Sequence, residues 1–329
     1  MLPGMKKGVT VAINQAAIRN HPDTFPKLFS IAPKVCITTA NEPEFLGFHA
    51  FIQTGAHSGG GRFGAAQLVT ADSLQAVQES PNNLHLNPLN LWQYTVWETP
   101  EAHERMHYEN NDRIFEFCIG CLTEVIDGPW EPVYKVAEVD MPPLVGMSDV
   151  PAVMGRAMAN QDPMPKVRLA FKRFTALGEH RVREGHEDAF LAGAVNTLEM
   201  MKEHAPGMLG WMILEKIGES ALSTLQLAPK QYWEAMETLG ANPPSSRETN
   251  YGEFGRDYTL PPIPNSGPRQ FIVHMEWESP ETLQFGVALP AVNPKVRRAH
   301  DEGVMQHLAQ VPPYYRVFAP IMEDMVFFH

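Results

Sequence analysis

The sequence predicts an α+β chain of two ferredoxin-like βαββαβ repeats whose sheets close together as a barrel of the dimeric α/β type. Two observations predict it. Short passages recur in both halves, and each recurrence falls at the same place in one order of strands and helices. PEFLGF at 43–48 is echoed by PGMLGW at 206–211, each after a helical stretch. YTVWETPEA at 94–102 is echoed by HMEWESPET at 274–282, and YKV at 134–136 by YRV at 315–317. The expected organisation is a single domain over 1–329, with a first repeat over 1–150 and a second over 160–329.

Taken in order, VTVAIN at 9–14 and VRLAFKRF at 167–174 alternate as strands do. Residues 183–204 carry apolar side chains at helical spacing and end on Ala-Pro-Gly. In both echoes a strand runs into Ser/Thr-Pro-Glu. The hydroxyl caps a helix, Pro suits its first turn, and the acid faces the positive helix end. Residues 55–90 and 240–268 are rich in Gly, Pro, Asn and Ser and read as surface excursions. GGGRFG at 59–64 lacks the Lys-Ser/Thr of a phosphate loop and reads as a flexible loop.

A net charge of −12 leaves no basic field for nucleic acid or anionic lipid. No apolar run is long enough for a signal peptide or a membrane span, so the expectation is a cytoplasmic protein. Three cysteines make no disulfide framework and suit a reducing compartment.

The chemistry concentrates in residues 97–134. His103 and His107 are four apart, which on a helix is about 400° of turn and puts both imidazoles on one face. The stretch from Glu101 to about Ile126 contains no Pro and reads as one continuous helix. On it, His107 and Cys118 are eleven residues apart, a rise of about 16 Å. Metal–ligand bonds are about 2.0–2.3 Å, so a zinc knot of His103, His107, Cys118 and Cys121 requires a break that the sequence does not supply. Cys118 instead returns to the face of His107, farther along. The third ligand has to come from elsewhere, and Glu131 precedes a strand that runs back beside the helix. Two His and a carboxylate with open positions are the facial arrangement of non-haem Fe(II) oxygenases. A surface or capping carboxylate is an equal reading of Glu131 from its own sequence context. Aligning Trp97 with Trp277 sets Leu283 and Val287 opposite His103 and His107, and aligning Tyr134 with Tyr315 sets Pro312 opposite Glu131. The fold therefore does not demand those side chains. Cys36, in PKVCITTA at 33–40, reads by itself as a small buried hydrophobe in a strand, with a sulfur-carrying thiolate as the functional alternative.

With TVAINQA at 10–16, PKVCITTA at 33–40, HERMH at 103–107, CIGC at 118–121, GPWEPVY at 128–134, TLEMMK at 197–202, QFIVHMEW at 270–277 and AHDE at 299–302, the chain resembles the sulfur oxygenase/reductases over almost its full length. The resemblance implies oxygen-dependent disproportionation of elemental sulfur to sulfite, thiosulfate and sulfide. It implies a mononuclear non-haem iron on His103, His107 and Glu131, with no external organic cofactor. It implies that Cys36 carries sulfur as a persulfide and that Cys118 and Cys121 line the same pocket in supporting roles. It further implies a hollow cytoplasmic shell of twenty-four subunits. The alternative is a structural zinc-binding or interaction protein using the HxxxH and CxxC pairs.

Overall fold

The computed structural model describes residues 5–19, 21, 24, 27, 39, 42–58, 66–68, 89–109, 124–141, 166–168, 173–220, 263–264, 267–309, 314–320 and 326–328. The first half contains β1 (Thr10–Ile18), β2 (Phe45–Ser58), β3 (Ala66–Leu68), β4 (Leu89–Trp97), helix α1 (Pro100–Glu109), β5 (Val125–Trp130) and β6 (Pro132–Asp140). The second half contains β7 (Lys166–Arg168), β8 (Phe174–Arg181), α2 (Glu187–His204), β9 (Met208–Glu219), β10 (Ile263–Pro264), β11 (Gln270–Trp277), α3 (Pro280–Val292), α4 (Pro294–Gly303), β12 (Tyr314–Pro320) and β13 (Val326–Phe328).

Eight strands close into an antiparallel barrel in the order β9, β11, β8, β12, β2, β4, β1, β6, with β6 returning to β9. The halves join at two seams, β12 on β2 and β6 on β9. Side-chain alternation then sorts the residues. Val11, Ile13, Phe51, Tyr94 and Val136 fill the interior with Leu177, Met212, Leu214, Ile272 and Phe318 from the other half. The alternate residues Trp211, Val273, Met275 and Trp277 face outward and are covered by Phe190, Leu198, Leu283 and Leu289 of α2 and α3. On the first half, Trp97 faces outward beneath Ala102 and Met106 of α1. Among the described residues this is the mixed α/β barrel that the sequence predicts at the level of class.

Both Ser/Thr-Pro-Glu passages start helices. The Ala102 amide donates to Thr99 Oγ1 at 3.2 Å. Ser279 and Thr282 cap α3 reciprocally, with Pro280 in its first turn. Gly286 is fixed by packing, because a Cβ there would lie 1.8 Å from the Trp277 ring.

Several boundaries differ from expectation. The helix read as running to Ile126 does not reach it: β5 begins at Val125, where the strand pairs with β1. The β-branched Val125 and Ile126 suit that ladder. Residues 110–123, including Cys118 and Cys121, lie outside the described residues. The strand expected over 167–174 splits, since pairing with Trp277 starts β8 only at Phe174, while Lys166–Arg168 pairs with β13. The excursion expected from residue 55 does not begin there, because β2 continues to Ser58 and β3 folds back on it. Most of 33–40, with Cys36, lies outside the described residues; Thr39 is helical rather than extended.

Candidate metal centre

Three elements meet on the outer face of the first half. α1 presents His103 and His107 one turn apart on the side that faces the barrel. Glu131 sits between β5 and β6, and its backbone carbonyl accepts from the Ser220 amide at 2.9 Å, which anchors it to the end of β9. All three side chains are buried, His103 completely. One donor atom from each of the three lies within 4.8 Å of the others.

The distances are tight. His103 Nε2 is 3.2 Å from His107 Nε2 and 3.2 Å from Glu131 Oε1. His107 Nε2 is 3.0 Å from Glu131 Oε2. Ring geometry tells a shared point from a mutual hydrogen bond. His186 and His307 bring their Nδ1 atoms to 3.0 Å with ring centroids 5.3 Å apart. His103 and His107 have more widely separated nitrogens, yet their centroids are only 4.7 Å apart. The first pair points nitrogen at nitrogen. The second pair is bent out of that line, an arrangement compatible with two ligands of one ion. Glu131 Oε2 is also buried, with His107 Nε2 as its near neighbour and no other hydrogen-bond partner among the described residues. Orphaned polar atoms in such a place are costly unless something satisfies them. Two imidazoles and a carboxylate fit a divalent transition metal.

The surroundings tune the donors. Burial opposes a charge on His103, but the Glu131 carboxylate, joined by Glu104, outweighs it and holds the pKa up at about 9. Burial likewise opposes a charge on Glu131, yet His107 and His103 hold that carboxyl well below the ordinary carboxylate range. His103 Nδ1 lies 3.2 Å from Glu104 Oε1, so its N–H donates to that buried carboxylate and Nε2 is left to the centre. Trp97 packs edge-on against His103 at 5.6 Å and closes one wall. Asn14 of β1 donates from Nδ2 to Glu131 Oε1 at 2.7 Å.

Thus His103, His107 and Glu131 are brought together, while Cys36, Cys118 and Cys121 lie outside the described residues. Asn14 and Glu104 were not singled out from the sequence. Alternation along β1 could have placed Asn14 on the outer face with Ala12, opposite the inward Val11 and Ile13.

A model of the sulphur oxygenase reductase family matches residues 7–328. The chain belongs to that family. Membership makes this an oxidoreductase of sulfur metabolism, with sulfur and oxygen as the family's substrates. Among solved structures, the sulphur oxygenase reductase chain is similar to an anthrone oxidase-like protein at 12% identity and a TM-score of 0.48, covering 97% of this chain and 93% of that one. It is similar to a protein assigned as a monooxygenase from Fusobacterium nucleatum subsp. nucleatum at 7% identity and 0.47, covering 98% and 96%. A counterpart from Lactobacillus acidophilus stands at 8% identity and 0.43, covering 98% and 100%. Among the described residues no helix is long and apolar enough to cross a membrane.

Proposed function

We propose that this protein disproportionates elemental sulfur with dioxygen to sulfite, thiosulfate and sulfide at a mononuclear non-haem iron held by His103, His107 and Glu131. The observation that carries the reading is the convergence of those three side chains, buried and incompletely satisfied, in a chain of the sulphur oxygenase reductase family. When bound, ferrous iron supplies open coordination positions at which dioxygen and sulfur meet.

The protein's own groups do the rest. His103 and His107 offer Nε2, and Glu104 fixes the His103 tautomer through Nδ1. Trp97 and Met106 wall the centre with apolar surface and exclude water, which suits an insoluble, uncharged substrate. The Cys36 thiolate attacks a sulfur ring or chain, opens it, and keeps it as a polysulfide, so that its oxidation becomes effectively intramolecular. Thr39, three residues along the chain from Cys36, has its Oγ1 4.0 Å from Sδ of Met106, between the two histidines on α1, which supports a role for that segment at this centre. Cys118 and Cys121 line the sulfur pocket in supporting roles. Sulfur is both electron donor and acceptor, so no organic cofactor is required. The two halves are ferredoxin-like repeats, over 1–150 and 160–329, and subunits assemble into a hollow cytoplasmic shell of twenty-four.

The test is anaerobic incubation with sulfur followed by admission of air, with sulfite, thiosulfate and sulfide assayed beside metal content. The expected result is all three products and one iron per chain. One thiolate-ligated zinc per chain and no products would replace the reading with a structural zinc site.

A further inference from the structure

Two tryptophans hold the same place in the two halves and are posed differently. Trp97 ends β4 opposite Thr10 of β1, and Trp277 ends β11 opposite Phe174 of β8. Both are fully buried beneath the helix that follows them. The Trp277 ring lies against Gly286 of α3, where a Cβ would fall 1.8 Å from it. Met106 of α1 stands nine residues beyond Trp97, as Gly286 stands nine beyond Trp277. Its side chain closes that pose to Trp97.

What holds Trp97 instead is Thr95, two residues back on the same face of β4. The indole Nε1–H donates to Thr95 Oγ1 at 2.9 Å, and the hydroxyl directs its own proton at the Ala12 carbonyl of β1, 3.4 Å away. A hydroxyl whose proton is engaged has its lone pairs aimed, so it accepts the indole from one direction. In the second half Met275 stands at this place. Trp277 Nε1 is accordingly buried without a hydrogen-bond partner among the described residues. The half with the imidazoles ties its indole down, and the half with Leu283 in place of His103 does not.

We propose that Thr95 is a positioning residue: by fixing the Trp97 indole it fixes the plane of the His103 imidazole, so that Nε2 is aimed before the metal arrives. This rests on the reading of His103 as an iron ligand. The Glu104 carboxylate at Nδ1 sets one atom of the imidazole, and the indole, edge-on at 5.6 Å and 71°, sets the tilt of the rest. Phe45 of β2 packs edge-on against the same indole at 5.2 Å. A ligand aimed in advance loses little freedom on binding, and outer groups that orient a ligand tune metal affinity.

The experiment compares Thr95→Val, which keeps the shape and removes the hydroxyl, with Thr95→Ser, which keeps the hydroxyl. Ultraviolet resonance Raman of the metal-free protein reads the indole N–H, and anaerobic transfer of loaded ferrous iron to a chelator reads its release. Thr95→Val should free one hydrogen-bonded indole and speed iron release roughly five- to tenfold. Thr95→Ala, which removes the hydroxyl with less bulk, should match it, and Thr95→Ser should overlay the wild type on both readouts. Trp97→Phe, an aromatic wall without the N–H, should also speed release. In Thr95→Val/Trp97→Phe the two effects should not add, because both act through one ring. An unchanged indole spectrum, wild-type release from the Val and Ala variants, or effects that multiply in the double variant overturn the role of Thr95 and leave the centre standing. A wild-type protein that takes up no ferrous ion overturns the centre itself, and the Thr95 inference with it.

Discussion

Tyr94 and His274 stand three residues before the paired tryptophans of their respective halves, and they meet inside the barrel, with the Tyr94 hydroxyl 3.5 Å from His274 Nδ1. His274 Nε2 is 2.6 Å from Glu276 Oε1, and Thr175 Oγ1 donates to the same oxygen at 2.7 Å. A hydrogen-bonded chain thus crosses the barrel interior. Removing His274 leaves the buried Glu276 short of a partner, so His274→Ala should cost roughly 2–3 kcal/mol. Denaturant midpoints measure this. Iron content should be unchanged, since the network lies on the opposite face of the sheet from the metal centre.

At the centre itself, His103→Ala, His107→Ala and Glu131→Ala should each abolish iron binding and all sulfur products while leaving the circular dichroism spectrum native. Glu104→Gln keeps the shape but weakens the acceptor for His103 Nδ1–H, and iron affinity should fall roughly 10–100-fold. Cys36→Ser should retain iron and lose turnover; full activity in that variant would reduce Cys36 to a packing residue. Cys118→Ser and Cys121→Ser should lose turnover only in part.

Metal uptake should depend on pH in one direction. The His103 pKa of about 9 means that a metal displaces a proton from the empty centre. Iron affinity should therefore rise by about tenfold per pH unit up to about pH 9 and then level off. Calorimetry in buffers of different protonation heat should read about one proton released per ion. The metal-free protein should show the reverse trend. Its raised His103 pKa adds stability below 6.5, and that stability is lost as pH rises through about 9.

His180 acts at the other end of the scale. Burial holds its pKa down at about 4, against an ordinary 6.5, while its Nδ1–H donates to the Gly178 carbonyl at 3.0 Å. The folded chain favours the neutral ring, so its contribution is complete above pH 6.5 and lost as pH falls toward 4, about 3 kcal/mol in all. His180→Gln should flatten this part of the acid-unfolding curve.

Gly286 allows the Trp277 ring to lie against α3. Gly286→Ala should destabilise the protein by roughly 1–3 kcal/mol through overpacking, read as a lower Tm with iron affinity retained.

What was legible in the sequence was local. Thr99 and Ser279 announce their helices through short-range hydrogen bonds. His103 and His107 share a face because four residues make about one turn. Barrel closure is different, because β6 on β9 joins residues such as Val136 and Leu214 that no short window connects. The predicted helix ends earlier than its sequence suggests for a related reason. Nothing between Glu101 and Ile126 breaks a helix, yet Val125 is drawn into pairing with β1, a partner more than a hundred residues away. Glu131 could be proposed but not decided, since its role depends on a fold that brings the β5–β6 junction under α1. Asn14 remained invisible as a functional group until its amide was seen against Glu131.

The two seams, β12 on β2 and β6 on β9, lie within one polypeptide. A barrel assembled from two identical chains must repeat every substitution on both faces. A tandem chain escapes that bookkeeping: one face can give up close packing for reactivity while the other, with Leu283 of α3 buried against the barrel, supplies the rigidity. Chemistry and scaffolding can then mutate separately.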